Sequence, residues 1–154
     1  MSMSKTRWIR HIGDLYGYLQ ELSCRDRSGR ELKPEPGFAR WVSLVKSIRR
    51  TQRTIYLVGN GASASMASHM AADLAKNAHL HTEVFSDLSL ITAISNDLSF
   101  EQVFSRQVEA LVTNRDIVWA LSVSGKSANV IRAVEAAKRI GAFVIGFTGQ
   151  SGDK

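Results

Sequence analysis

A chain of 154 residues with 44% hydrophobic and 22% charged residues has the length and composition of one ordinary globular domain, which excludes a disordered or fibrous polymer. The single Cys24 excludes an internal disulfide framework. No secretory leader and no apolar run of about 18 residues is present, so a cytoplasmic protein without a membrane partner is expected. The net charge of +6 is uneven, because residues 1–53 hold 12 Lys/Arg against 5 Asp/Glu and the remainder 8 against 9. Arginines such as Arg7, Arg25, Arg49 and Arg53 lack interleaved aromatics, which reads as a solvated face and makes a nucleic-acid partner a minor option.

In chain order, Trp8, Ile9, Ile12, Leu15, Tyr16, Leu19 and Leu22 recur at helical spacing and predict an amphipathic helix over 8–22. Its apolar stripe needs another helix or subunit. Residues 25–37 contain both prolines among charges and read as a loop, after which Trp41, Val42, Leu44, Val45 and Ile48 restore helical spacing over 38–50. From Thr54 the pattern changes to short continuous runs at 54–58, 82–85, 116–121 and 142–147, as expected of strands buried on both faces. Helices are predicted between them at 63–76, 87–95, 100–111 and 127–140. This alternation is α/β, with parallel strands joined by right-handed crossovers. Residues 1–53 form a helical arm and 54–154 the main domain, together one structural unit.

Gly59-Asn60-Gly61-Ala62-Ser63-Ala64-Ser65 lies where a buried strand gives way to a helix, the place where an open α/β sheet holds its ligand. Small residues let the backbone approach an anion, and the helix start supplies N–H groups and a partial positive charge. Phosphate is the natural guest. The bland alternative is a tight turn in which Ser63 caps the helix. The same letters satisfy the dinucleotide fingerprint G-x-G-x-x-A, with Glu83 as a candidate ribose-binding acid.

Ser122-Val123-Ser124-Gly125-Lys126-Ser127 follows the next buried run and again precedes a helix. Such a hydroxyl cluster suits a phosphate with several oxygens to satisfy and is not required by a nicotinamide cofactor, so no nucleotide cofactor is expected. The alternative here is Ser127 as an N-cap with loop filler before it.

Taken together, these two turns with Thr92-Ala93-Ile94-Ser95-Asn96-Asp97, Phe104 to Glu109 and Gly146-Phe147-Thr148-Gly149 resemble the sugar isomerase (SIS) domain, in its phosphoheptose isomerase branch, across residues 54–152. The resemblance implies a three-layer αβα sandwich with a doubly wound, flavodoxin-like parallel sheet preceded by two N-terminal helices. It implies that Asn60, Gly61, Ala62, Ser63, Asp97, Ser122, Ser124 and Ser127 bind the sugar or its phosphate. It also implies conversion of sedoheptulose 7-phosphate to a D-glycero-D-manno-heptose 7-phosphate for surface polysaccharide synthesis, in a homotetramer with sites between subunits.

His69 and Asp73, four residues apart on one helical face, are the candidate acid/base pair, since aldose-ketose exchange needs a base for the carbon-bound proton and an acid for the oxygens. On residue pattern alone such a pair is more often a surface ion pair. The family has Glu where this chain has Asp73, and in some relatives the pair contributes to a zinc site, so zinc is an implied cofactor with His69 and Asp73 as ligands. The family's further strand and His-bearing helix have no counterpart before Lys154, and strand 142–147 is therefore expected at an uncovered edge. A non-catalytic sugar-phosphate-binding or regulatory module, meeting a protein or DNA partner, is the alternative function.

Overall fold

The computed structural model describes residues 3–149, with side chains from Trp8 onward. The chain forms two compact units, Met1–Lys46 and Ser47–Lys154, and the division between them falls inside a helix.

In the first unit, helix α1 (Met3–Gln20) leaves its apolar residues Trp8, Ile9, Ile12, Leu15 and Leu19 exposed. The loop expected over 25–37 is instead a small hairpin followed by an early helix start. Strands β1 (Cys24–Arg25) and β2 (Glu31–Leu32) pair antiparallel, Cys24 opposite Leu32. The turn between them is organised by one carboxylate. Asp26 Oδ1 accepts from the Ser28 N–H at 2.9 Å, the Ser28 hydroxyl at 2.6 Å and the Arg30 N–H at 3.1 Å. These donors, the Ser28 hydroxyl foremost, hold the Asp26 carboxyl below its usual range. Helix α2 (Pro34–Thr51) absorbs both prolines in its first turn, where the missing N–H groups would have had no intrahelical partner.

The second unit carries the α/β domain. Its elements are β3 (Thr54–Gly59), α3 (Ala62–Ala78), β4 (His81–Val84), α4 (Leu88–Asp97), a 3-10 turn (Phe100–Gln102), α5 (Ser105–Leu111), β5 (Ile117–Ser122), α6 (Ala128–Ile140) and β6 (Phe143–Thr148). The four strands form a parallel sheet in the order β4-β3-β5-β6. One predicted helix, 100–111, is two elements, because Val103 and Phe104 turn inward between them into the core.

In β3 and β5 the continuous apolar runs follow from burial on both faces, whereas β4 and β6, expected to be buried likewise, hold exposed and half-buried residues because they are the sheet's edges. Tyr56 and Val58 of β3 and Val118 and Ala120 of β5 pack with Val108, Val130, Ala133 and Ala137 of α5 and α6. Burial pushes the Tyr56 phenol above its usual range, and its hydroxyl donates to the Leu111 carbonyl at 3.1 Å. The alternate residues Ile55, Leu57, Ile117 and Trp119 are equally buried and face the other way, where α3 lies with its buried Ala67 and Ala71. Thr82 Oγ1 donates to the Ala71 carbonyl at 2.9 Å, fixing α3 to β4. At the N-terminal ends of β3 and β5 the buried Asp116 accepts from the Thr54 N–H at 3.0 Å and the Thr113 hydroxyl at 2.7 Å. β6 is an edge strand, and Phe143 on it is 52% exposed. Among the described residues no helix is long and apolar enough to cross a membrane.

Candidate functional site

From β3 the chain passes through α3 to β4 on one side, whereas from β5 it passes through α6 to β6 on the other. β3 and β5 are neighbours, with Gly59 opposite Leu121, so their C-terminal ends mark the point where the connections diverge and leave a crevice. Both candidate turns begin there.

The first turn is shaped by close approach. A Cβ on Gly59 would lie 2.9 Å from the Ser63 carbonyl carbon, and Gly61 has φ +54°, a left-handed conformation that favours glycine. The Asn60 carbonyl accepts from the Ser63 N–H at 3.0 Å and the Ala64 N–H at 3.4 Å, which folds the chain directly into α3. Ala62 is exposed and Ser63 half-buried.

In the second turn the Ser122 hydroxyl, at the buried end of β5, lies 3.2 Å from the Ser127 hydroxyl. The Gly125 N–H donates to the Ser122 carbonyl at 3.0 Å, and Ser124 Oγ accepts from the Lys126 N–H at 3.2 Å. Ser124 and Lys126 are exposed.

Neither serine caps its helix. α3 starts one residue before Ser63, at Ala62, with Gly61 as N-cap, and Ser127 stands at the N-cap of α6, yet no side-chain capping bond forms at either. By contrast α4, which starts elsewhere, is capped by Asp87, whose carboxylate accepts from the Leu90 N–H at 2.7 Å. Two helices therefore open onto the crevice with N-termini that their N-cap residues leave uncapped, the Val130 N–H of α6 being taken by Asn129 Oδ1, beside the hydroxyls of Ser122, Ser124 and Ser127, a combination suited to an oxyanion such as a phosphate ester.

The residue that sequence reasoning missed is Asn129. It is 3% exposed and its side chain forms a reciprocal amide pair with Asn60, bonding at 2.8 and 2.9 Å. The available signal was an Asn inside the first turn of a helix, a residue type that disfavours helix interiors unless its side chain has a task.

A cleft of about 220 Å³ runs from Gly59, Asn60, Gly61 and Ala64 to Phe85, Ile91, Phe100 and Phe104. It is an apolar-walled space beside the first turn, and the serine turn does not line it. A larger hollow of about 460 Å³, lined by Arg49, Arg53, His79 and His81, lies at the other end of the strands. It receives the C-terminal ends of α2 and α3, whose partial negative charge Arg49 and Arg53 offset.

His69 and Asp73 do share a face of α3, with Nε2 and Oδ2 3.4 Å apart and side chains 80% and 53% exposed. They lie roughly 10 Å and roughly 16 Å along α3 from its N-terminus, at 1.5 Å per residue, and neither lines the cleft. Asp97, at the end of α4, is exposed and accepts from Asn96 Nδ2 at 2.9 Å. For zinc, the pair supplies two donors where a tetrahedral site takes four, and among the described residues no three His, Cys, Asp or Glu come together. The described residues alone do not fit that metal.

A family model described as "SIS domain" matches residues 33–149. Phosphoheptose isomerase of Crocosphaera subtropica is 46% identical over 117 residues, covering 72% of this chain and 60% of that protein. Phosphoheptose isomerase of Syntrophotalea carbinolica is 38% identical over 142 residues, covering 88% and 71%. Among solved structures, phosphoheptose isomerase from Neisseria gonorrhoeae superposes with TM-score 0.81 at 34% identity, covering 97% of this chain and 77% of that one. The chain thus spans about three-fifths of the Crocosphaera protein's length.

Proposed function

The chain belongs to the SIS domain family, and from that premise we propose that it is a phosphosugar isomerase acting on sedoheptulose 7-phosphate. The observation that carries the proposal is the pair of helix N-termini at the switch point, neither capped by the side chain of its N-cap residue and both flanked by Ser122, Ser124 and Ser127. These groups hold the phosphate, and Asn60, Gly61, Ala62, Ser63 and Asp97 serve the sugar end. The relatives named phosphoheptose isomerase support the seven-carbon substrate. The product is D-glycero-D-manno-heptose 7-phosphate, a precursor for surface polysaccharide.

In this reaction the Asp73 carboxylate takes a proton from C1 of the ketose, giving an enediol. The proton returns at C2 while His69 exchanges protons with the two oxygens, so that the carbonyl moves from C2 to C1 and no atom is gained or lost. The exposure of the pair supports a site completed by another copy of the chain. The exposed apolar stripe of α1 supports the same homo-oligomeric state, a tetramer in this reading. A zinc ion at His69 and Asp73 would draw its remaining ligands from outside the described residues. The unpaired Cys24 suits a reducing cytoplasm.

Incubation with sedoheptulose 7-phosphate in heavy water tests this directly: aldose formation with deuterium at C2 is expected, and absence of both from folded protein overturns the enzymatic reading. A second reading is a sugar-phosphate-binding or regulatory module without turnover. It is favoured by Asp73 where the family has Glu and by the exposure of the His69–Asp73 pair. Saturable binding without isotope exchange selects it.

A further inference from the structure

We infer that Asn129 is a positioning residue, whose buried amide ties Asn60, and with it the Gly59–Ser63 turn, to the first turn of α6 so that both turns face one ligand. Asn60 Nδ2 donates to Asn129 Oδ1 at 2.8 Å, and Asn129 Nδ2 donates to Asn60 Oδ1 at 2.9 Å. The same Asn129 Oδ1 accepts from the Val130 N–H at 2.9 Å. That third bond fixes which way the Asn129 amide points, because the flipped amide would set NH₂ against N–H. Asn129 in turn fixes the orientation of Asn60.

The consequence for Asn60 is that half of its side-chain bonding capacity is spent inside the protein. Its carbonyl is committed as well, to Ser63 and Ala64 at the start of α3. One residue thus joins the N-terminal turn of α3 to that of α6, across the two strands from which these helices diverge. The sheet alone fixes the strand ends and not the loops above them, and two helix N-termini serve a common anion only at a fixed separation. Asn60 therefore contributes to binding through the tie as well as through the half of its amide that is left for the sugar.

The ligand half of this inference rests on the sugar-phosphate reading above, whereas the tie itself does not. The experiment compares Asn129→Ala, Asn60→Ala and the double variant of the full chain, by amide spectra without ligand and by calorimetric titration with sedoheptulose 7-phosphate. Each single variant is expected to weaken binding about tenfold, with the double no weaker than the worse single, because both remove one interaction. Without ligand, Asn129→Ala is expected to shift the backbone amides of Gly59 to Ser63. Binding by Asn129→Ala within about twofold of wild type, or penalties that add, would each overturn it. Should Asn129→Ala fail to fold, Asn60→Ala, at a partly exposed position, carries the test through shifts at Ala128 to Ile131. If the wild-type chain does not bind the sugar phosphate, the sugar-phosphate reading fails and the tie is judged by the ligand-free amide shifts alone.

Discussion

The crevice turns and the His69–Asp73 face of α3 are built in opposite ways. The turns are held from beneath: Gly59 packs against Ser63, Ser122 sits at the buried end of β5, and Asn60 is locked to the buried Asn129. His69 and Asp73 touch each other, Asp73 Oδ1 also accepts from Asn77 Nδ2 at 3.5 Å, and both side chains are mostly in water. In the proposed reaction, binding geometry is a property of the fold, whereas the geometry of the His69–Asp73 pair depends on whatever approaches α3. An exposed carboxylate can be altered without disturbing the turns, and the turns can be altered without disturbing the pair.

The largest expected effect exploits that separation. Asp73→Asn removes the proposed base, and turnover should fall by about a thousandfold while affinity for the sugar phosphate stays within about threefold, measured by isotope exchange and calorimetry. A comparable loss of affinity would show that the two regions are not independent. Next, Asp73→Glu supplies the carboxylate length that the family resemblance implies, and turnover should rise by up to about 100-fold if the shorter side chain misplaces the base by about 1 Å. No change would mean that the carboxylate position is not limiting.

Smaller effects fall on the turns. Ser124→Ala should weaken binding about tenfold, the worth of one hydrogen bond to a charged group, with an unchanged melting temperature because Ser124 is exposed and accepts only from the Lys126 N–H. Gly59→Ala should instead lower stability by about 1–3 kcal/mol, read in chemical denaturation, since the new methyl meets Ser63 backbone that cannot withdraw. A Gly59→Ala variant as stable as wild type would break the view that the turn is held by packing.

Much of this fold was legible in the sequence because burial on both faces writes the central strands β3 and β5 as continuous apolar runs, and β3, β4, β5 and β6 each lie within one residue of their expected limits at both ends, although the edge strands β4 and β6 are not buried on both faces. What escaped had local causes outweighed by a few side-chain bonds. Asp26 gathers three donors through one oxygen and makes a hairpin where prolines and charges read as loop. Pro34 and Pro36 fit a first helical turn and do not break it. At the site, glycine and serine composition marked both turns, but not that Ser63 and Ser127 decline to cap their helices. Nor could composition reveal Asn129, whose partner is 69 residues away. The pairing of His69 with Asp73 followed from helical spacing alone, while their distance from the cleft did not.

The central claim is that the two turns together hold a sugar phosphate, and backbone amide shifts during titration of the chain with sedoheptulose 7-phosphate, against unphosphorylated sedoheptulose, test it most directly. Saturable shifts at Gly61, Ala62, Ser124 and Ala128 with the phosphate ester and none with the free sugar are expected. Silence at both turns, or shifts confined to the Arg49, Arg53 and His79 end of the strands, would contradict it.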